Sequence, residues 1–368
     1  MKNFDIVVIG AGPGGSTAAK VAAENGYSTC LIEKEKLNDG GRYKACGGAL
    51  TWDLIKEIDY PEEKISRIIE SLELHHLDGE IYSKKGKGAV VWRSTFDNFL
   101  TNLATNSGVL LKDHESMVNI KEERNRYQIT TEKGKYTTKY VLAADGVTSS
   151  VLKLLKWTFF KKKDIILTIN QEMKTSRRYI DKILGKDSLH LFFGIKTLIP
   201  IGYAWLFPKK ETITLGWGSQ INLIKNSREE FKKFLKIPYV KQALKNSKLE
   251  IFKPHLIPVG VRPILYSDNV FAIGDAGGFV DPISGKGIPY AMKSGNIAIE
   301  SINSCEKKNT PDRLGNTYEK LLDKRFLKIL KLKRVARDEI FKNDETLKKF
   351  LSLWEKYRSS EIVLRKLI

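Results

Sequence analysis

Residues 5–9, Asp-Ile-Val-Val-Ile, carry an apolar run without polar alternation, the pattern of a strand covered on both faces. An Ala-rich stretch at 16–25 has helical character, and Gly26 is placed to stop it. Residues 29–32 (Thr-Cys-Leu-Ile) predict a second buried strand that ends at Glu33. Short strands follow over 72–91, with turns expected at Asp78-Gly79 and Lys85-Gly86. Residues 96–104 predict a helix, N-capped by Ser94 or Thr95, and strand patterns recur over 109–143 with a hairpin turn near Lys133-Gly134. The texture changes at about 165–258, where strands at 165–173, 189–193, 203–207 and 212–217 surround a basic helix at 228–235. A buried strand returns at 270–273, then a Gly-rich loop and a helix at 288–302, and the remainder from 313 is helical and basic. This order predicts an α/β fold: a Rossmann-like dinucleotide domain, an inserted antiparallel-sheet (α+β) second domain and a C-terminal helical tail. The expected division is 1–72 plus 92–155 plus 259–310, then 73–91 plus 156–258, then 311–368.

The first strand runs into Gly10-Ala11-Gly12-Pro13-Gly14-Gly15, which opens the first helix, and Glu33 ends the next strand. In that context the glycines mark a dinucleotide site. Gly10 permits a tight turn, Gly12 lets backbone approach a pyrophosphate, and Gly15 allows close helix–strand packing. The helix N-terminus stabilises the anion, and Glu33 accepts hydrogen bonds from a ribose diol. The turn alone does not separate FAD from NAD. The later strand ending in Gly274-Asp275 favours FAD, since an Asp there can bind ribityl hydroxyls. Gly285-Lys286-Gly287 then precedes a helix beginning at Ile288, whose positive end suits an anionic reduced flavin.

At 368 residues the chain exceeds one ordinary core. Its 42% hydrophobic and 29% charged residues describe a globular protein, and no run approaches the ~18 apolar residues of a spanning helix. The opening stretch lacks the features of a signal peptide. Cys30, Cys46 and Cys305 are far apart, which suits a reducing cytoplasm and argues against a disulfide framework. No metal site is expected: ligand spacings are absent, and His75 and His76, adjacent on a strand, point to opposite faces. The net charge of +20 admits anionic partners. No nucleic-acid module is visible, so no nucleic-acid partner is expected, whereas an anionic membrane surface or phospholipid substrate stays open.

Arg93 with Phe96-Asp97, Asp145-Gly146 with Ser149, and Gly274-Asp275, in order after Gly10–Gly15, resemble flavoproteins of the p-hydroxybenzoate hydroxylase type. Within that group two stretches are similar to the geranylgeranyl reductase family. One is Lys44-Ala45-Cys46-Gly47-Gly48, like the family's Cys-Gly loop beside the flavin. The other is Tyr203-Ala204-Trp205-Leu206-Phe207-Pro208 followed, after seven residues, by Gly216-Trp217-Gly218. The resemblance covers about 1–305 and finds no match in the tail; Leu152 stands where the wider group often has Arg. It implies FAD held by Gly10, Gly12, Gly14, Gly15, Glu33, Arg42, Cys46, Gly47, Arg93, Asp145, Gly274, Asp275, Gly285, Gly287 and Ile288. It also implies substrate contacts at Tyr203, Trp205, Phe207, Pro208, Gly216 and Gly218.

The implied activity is saturation of geranylgeranyl double bonds on a membrane phospholipid of archaeal type, fed by an external electron donor. Tyr203, Trp205 and Phe207 alternate along a strand and share a face, suited either to lining an apolar channel or to filling a core. Cys46, as the implied catalytic residue, would position substrate or donate a proton. An aromatic monooxygenase or halogenase is the competing reading, and a non-catalytic lipid-binding flavoprotein a third. The tail repeats Leu322, Phe326, Ile329, Leu330 and Leu347, Phe350, Leu351, Trp354 at helical spacing among Lys and Arg. Such helices either pack on the protein or dock peripherally on the inner, anionic face of a membrane.

Overall fold

The computed structural model describes residues 2–37, 43–194, 199–357 and 360–367. The chain divides into two units, Met1–Tyr43, Ser94–Asp164, Ile257–Leu332 and Lys44–Arg93, Ile165–Leu256, Lys333–Ile368.

In the first unit, Lys2–Ile9 lies parallel to Thr29–Ile32 on one side and to Lys135–Ala143 on the other. Leu110–Lys112 and Val270–Ala272 extend the sheet with parallel pairs. Alternate residues explain the opening apolar run. Ile6 and Val8 join Leu31, Leu142 and Phe271 against the helices Pro13–Glu24 and Ile288–Lys307. Val7 and Ile9 join Cys30, Ile32 and Val141 on the other face, packed with Ile129 and Leu152. A strand covered on both faces has no position for a polar residue.

In the second unit the sheet order among the described residues is Lys248–Pro258, Ile165–Lys174, Thr212–Gln220, Gly202–Pro208, Ser188–Phe193, Arg67–His76, Ile81–Val90, Ala49–Thr51. The helices Arg177–Leu184, Ser227–Leu235 and Pro238–Leu244 bury Ile180, Phe234 and Val240 against Phe192, Ala204, Leu206 and Trp217.

Several expectations are corrected. The second sheet is not wholly antiparallel: Ser188–Phe193 runs parallel to Arg67–His76, which the long intervening chain permits. Segment 44–72 belongs with the second unit, since Ala49–Thr51 and Arg67–His76 both pair with Ile81–Val90. Lys85-Gly86 makes no turn; it lies inside Ile81–Val90, where a register shift between Ile69 and Ser71 absorbs the irregularity. The helix expected at 96–104 is Arg93–Asn106, so Ser94 and Thr95 sit in its first turn rather than at its cap.

The tail divides as well. Leu314, Tyr318, Leu322, Phe326 and Leu330 fill the first core, and the Tyr318 hydroxyl donates to the Ala272 carbonyl (2.9 Å). Helix Asp344–Lys356 starts with an Asn343–Thr346 capping box and buries Leu347, Phe350 and Leu351. Lys84 donates to the Trp354 and Tyr357 carbonyls with its ammonium over the Trp354 ring.

Candidate cofactor and substrate sites

The glycine turn is held by contacts that tolerate no side chain. A Cβ on Gly15 would stand 1.9 Å from the Gly10 carbonyl oxygen, and one on Gly10, at φ +104°, would stand 2.4 Å from that of Ala144. Helix Pro13–Glu24 therefore begins directly against the end of Lys2–Ile9. Its N-cap, Gly12, supplies no side-chain hydrogen bond, its first turn has no acidic residue, and nothing lies within 4 Å of a Cβ built there. An uncapped helix start beside open space fits a pyrophosphate. The Glu33 carboxylate, buried at the adjoining strand end, accepts from the Ala11 amide (2.8 Å) and the Glu35 amide (3.0 Å). Gly14 has a different task, since its contact with Ala291 lets the helix Ile288–Lys307 cross closely.

Asp145 caps the helix Ser150–Leu154 through the Ser150 and Val151 amides (2.7 and 3.2 Å). Its other oxygen is buried without a partner among the described residues, and burial pushes the carboxyl above its ordinary pKa. Gly274 takes φ +58° and donates its amide to Ser294 (3.0 Å). Asp275 follows it, with a carboxylate oxygen 3.5 Å from where a Gly287 Cβ would be. Gly285 and Gly287 close a loop organised by Asp281, whose carboxylate accepts from Ile283 and Ser284. Ile288 then starts a helix with no side-chain cap and no acidic first turn. Arg42 lies outside the described residues.

In the second unit Tyr203, Trp205 and Phe207 do share a face, with ring centroids 5.8 and 6.3 Å apart in sequence. Their neighbours Ala204 and Leu206 point into the helix-covered core, so the aromatic row is the opposite face of the sheet. Two glycines make room for it. A Cβ on Gly216 would stand 1.9 Å from the Trp205 ring, and one on Gly47 would stand 2.5 Å from Phe207. Gly216 thus seats the indole, and the loop Cys46-Gly47-Gly48 lies against the row. Gly48 is fixed by its carbonyl accepting from Val91 (2.9 Å), and its amide points at the Cys46 sulfur (3.4 Å). Pro208 ends the strand, and Gly218 pairs with Tyr203. The Trp205 indole N–H is buried with no partner among the described residues.

Sequence reasoning missed the charged groups under this row. Lys209 and Glu172, both fully buried, form an ion pair at 3.1 Å, with Thr214 donating to Glu172 (2.9 Å) and the Trp92 ring 3.3 Å from the ammonium. Burial lowers the Lys209 pKa, and its pairing with Glu172 opposes that shift. The alternation 205, 207, 209 was the available signal. Arg93, buried, and Lys44 gather charge in the same unit. Burial first, then Lys44, Arg93 and Lys253, push the His255 imidazole down to about 3. In the first unit the missed residue is Arg262, which donates to the Ala276 and Thr158 carbonyls (2.7 and 2.6 Å).

A parallel sheet and a glycine turn opening an uncapped helix have the layout of a dinucleotide-binding fold. A family model described as FAD dependent oxidoreductase matches residues 5–147, and the chain is an FAD-dependent oxidoreductase. A digeranylgeranylglycerophospholipid reductase from Methanococcus vannielii is 32% identical over 339 residues, spanning 89% of this chain and 84% of that protein. The chain belongs to the digeranylgeranylglycerophospholipid reductase family. The crystal structure of a geranylgeranyl bacteriochlorophyll reductase-like protein from Thermoplasma acidophilum is 26% identical, with a TM-score of 0.86 over 100% of this chain and 96% of that one. A flavin-dependent brominase shares the fold, with a TM-score of 0.77 at 18% identity over 99% of this chain and 98% of its own. Among the described residues no helix is long and apolar enough to cross a membrane.

Proposed function

We propose that this chain saturates carbon–carbon double bonds of geranylgeranyl chains on a glycerophospholipid. The observation that carries the reading is the aromatic row Tyr203–Trp205–Phe207, seated on Gly216 and bordered by Cys46-Gly47-Gly48. A prenyl chain gains affinity by apolar burial, roughly 25 cal/mol per Å2, and a row of rings offers that burial without hydrogen-bond demands. The relatives named as digeranylgeranylglycerophospholipid reductases support the same substrate class.

The Gly10–Gly15 turn and helix start would hold the FAD pyrophosphate, Glu33 its ribose, and Asp275 and the Gly285–Ile288 loop its flavin half. Bound and reduced, the cofactor supplies the hydride, which no side chain can. The chain's own task is to hold the alkene dry and to deliver a proton to the second carbon. Cys46 is the candidate donor or positioning group. A thiol of ordinary pKa ~8.5 is a weak acid towards an unpolarised alkene. The buried Lys209–Glu172 pair is bonded by Thr214, which pairs with Phe207 of the aromatic row. The partners of this reading are the prenylated lipid, an external electron donor, and peripheral contact with an anionic membrane.

Chemically reduced enzyme, incubated without oxygen with geranylgeranylated phospholipid, should yield mass gains of about 2 Da per saturated double bond. Cys46→Ala should stay yellow and lose alkene turnover. A reduced, flavin-loaded parent that leaves the lipid mass unchanged would end the reading.

A further inference from the structure

Glu73 and His75 lie two residues apart on Arg67–His76 and so share a face, and the parallel register sets His190 opposite Glu73. His190 pairs with Leu206, so this is the helix-covered face of the sheet, opposite Tyr203, Trp205 and Phe207. His75 Nε2 is 3.0 Å from His190 Nδ1, and Glu73 Oε2 is 3.8 Å from the first and 3.5 Å from the second.

The ring protons at this corner are committed elsewhere than to the Glu73 carboxylate. His190 Nε2 is 2.8 Å from the Leu184 carbonyl, which can only accept, so that nitrogen carries the ring proton and Nδ1 presents a lone pair. The Tyr239 hydroxyl donates to the Ile183 carbonyl (3.1 Å), so towards His190 Nδ1, at 3.4 Å, it also presents a lone pair. With both rings neutral, at most one proton, on His75 Nε2, serves the His190 lone pair, and neither ring offers the Glu73 carboxylate a proton. The His75 ring stacks on Phe192, with ring centroids 4.6 Å apart.

We propose that Glu73, His75 and His190 hold a divalent transition-metal ion, zinc being the ion this donor set suits best. Two imidazoles and a carboxylate are a known three-ligand zinc set that leaves a fourth position for water. Ligands at ~2.0–2.2 Å from a tetrahedral ion stand roughly 3.3–3.6 Å apart, and the distances here, 3.0, 3.5 and 3.8 Å, straddle that range. The hydrogen bond from His190 to a backbone carbonyl is the outer contact that fixes a metal-binding ring's tautomer and orientation. The Glu73 side chain, 32% exposed, leaves a route of entry. The ion would cross-link two strands beside helix Pro238–Leu244, which brings Tyr239 against both rings. The assignment does not depend on the substrate reading.

The test uses the full flavin-loaded chain, dialysed against a chelator and titrated with Zn2+ or Co2+. About one zinc per chain should bind, and Co2+ should give the strong visible bands of a tetrahedral N/O site without thiolate charge transfer. His75→Gln and His190→Gln should each weaken zinc by at least roughly 100-fold, since even loss of an outer contact costs 10–100-fold. If these variants misfold by circular dichroism, the parent's cobalt spectrum decides. A parent that takes up no stoichiometric zinc, a cobalt spectrum with thiolate bands, or folded variants that bind like the parent would each overturn the assignment.

Discussion

His255 is an imidazole kept neutral among cations. Lys44, Arg93 and Lys253 add to burial in pushing its pKa from 6.5 to about 3. The unfolded chain accepts a proton there below pH ~6.5 that the folded chain refuses until about pH 3. Protons then favour unfolding, so stability falls as pH drops through that window, by at most about 1.4 kcal/mol per pH unit and less where solvent screens the cations. Below the folded pKa both states carry the proton and the contribution is flat. Replacing His255 with Gln should remove this dependence. In urea unfolding between pH 6 and 4, the variant's stability should fall less steeply than the parent's by up to one proton's worth. Equal slopes would mean that His255 titrates normally in the fold. The same three cations supply the positive potential that an anionic group bound beside Lys44 and Arg93 requires.

At the scale of elements, the two candidate sites rest on glycines with different neighbours, and that difference separates their roles. Gly15 meets backbone, the Gly10 carbonyl, which has no way to give, whereas Gly216 meets the Trp205 ring, which can swing aside. Gly15→Ala should therefore lose bound flavin. Gly216→Ala should keep the yellow cofactor while displacing the indole, with a changed near-ultraviolet dichroism and prenyl turnover lowered on the order of 10²-fold, the scale of a misplaced reacting group. Flavin loss in both variants alike would remove the distinction. These elements were legible because their signals are local. An apolar run, a glycine turn and an acidic strand end sit within the first 33 residues, and the alternation at 203–207 fixes a shared face without knowledge of the partner strand. What was not legible depends on pairing across long separations. Nothing near Lys44 says that Ala49–Thr51 joins the second sheet, and the meeting of His75 with His190 follows from a parallel register that neither segment encodes alone. Lys85-Gly86 resembles a turn but is held extended by its partner strand, which overrides local preference.

For the whole molecule, the excess of 63 basic over 43 acidic residues must be reconciled with the proposed lipid substrate and with the absence, among the described residues, of a membrane-crossing helix. The apolar stripes of the tail do not supply an anchor, because Leu322, Phe326, Leu330, Leu347, Phe350 and Leu351 are spent on the cores they cover. Helix Lys328–Ile340 does expose Leu332 (46%) and Val335 (64%) among its lysines and arginines, but two side chains give little insertion energy. In the proposed peripheral contact, attraction between the basic residues and anionic headgroups, about 1 kcal/mol per Lys or Arg close to the surface, would outweigh insertion. Salt screens that attraction as the Debye length shrinks from ~10 Å at 0.1 M to ~3 Å at 1 M. In flotation assays the protein should rise with vesicles containing anionic lipid at low salt, stay behind with purely zwitterionic vesicles, and release from the anionic ones at high salt. Leu332→Ser with Val335→Ser should change this little. Binding indifferent to lipid charge and salt, but abolished by that pair of substitutions, would assign membrane contact to insertion instead of charge.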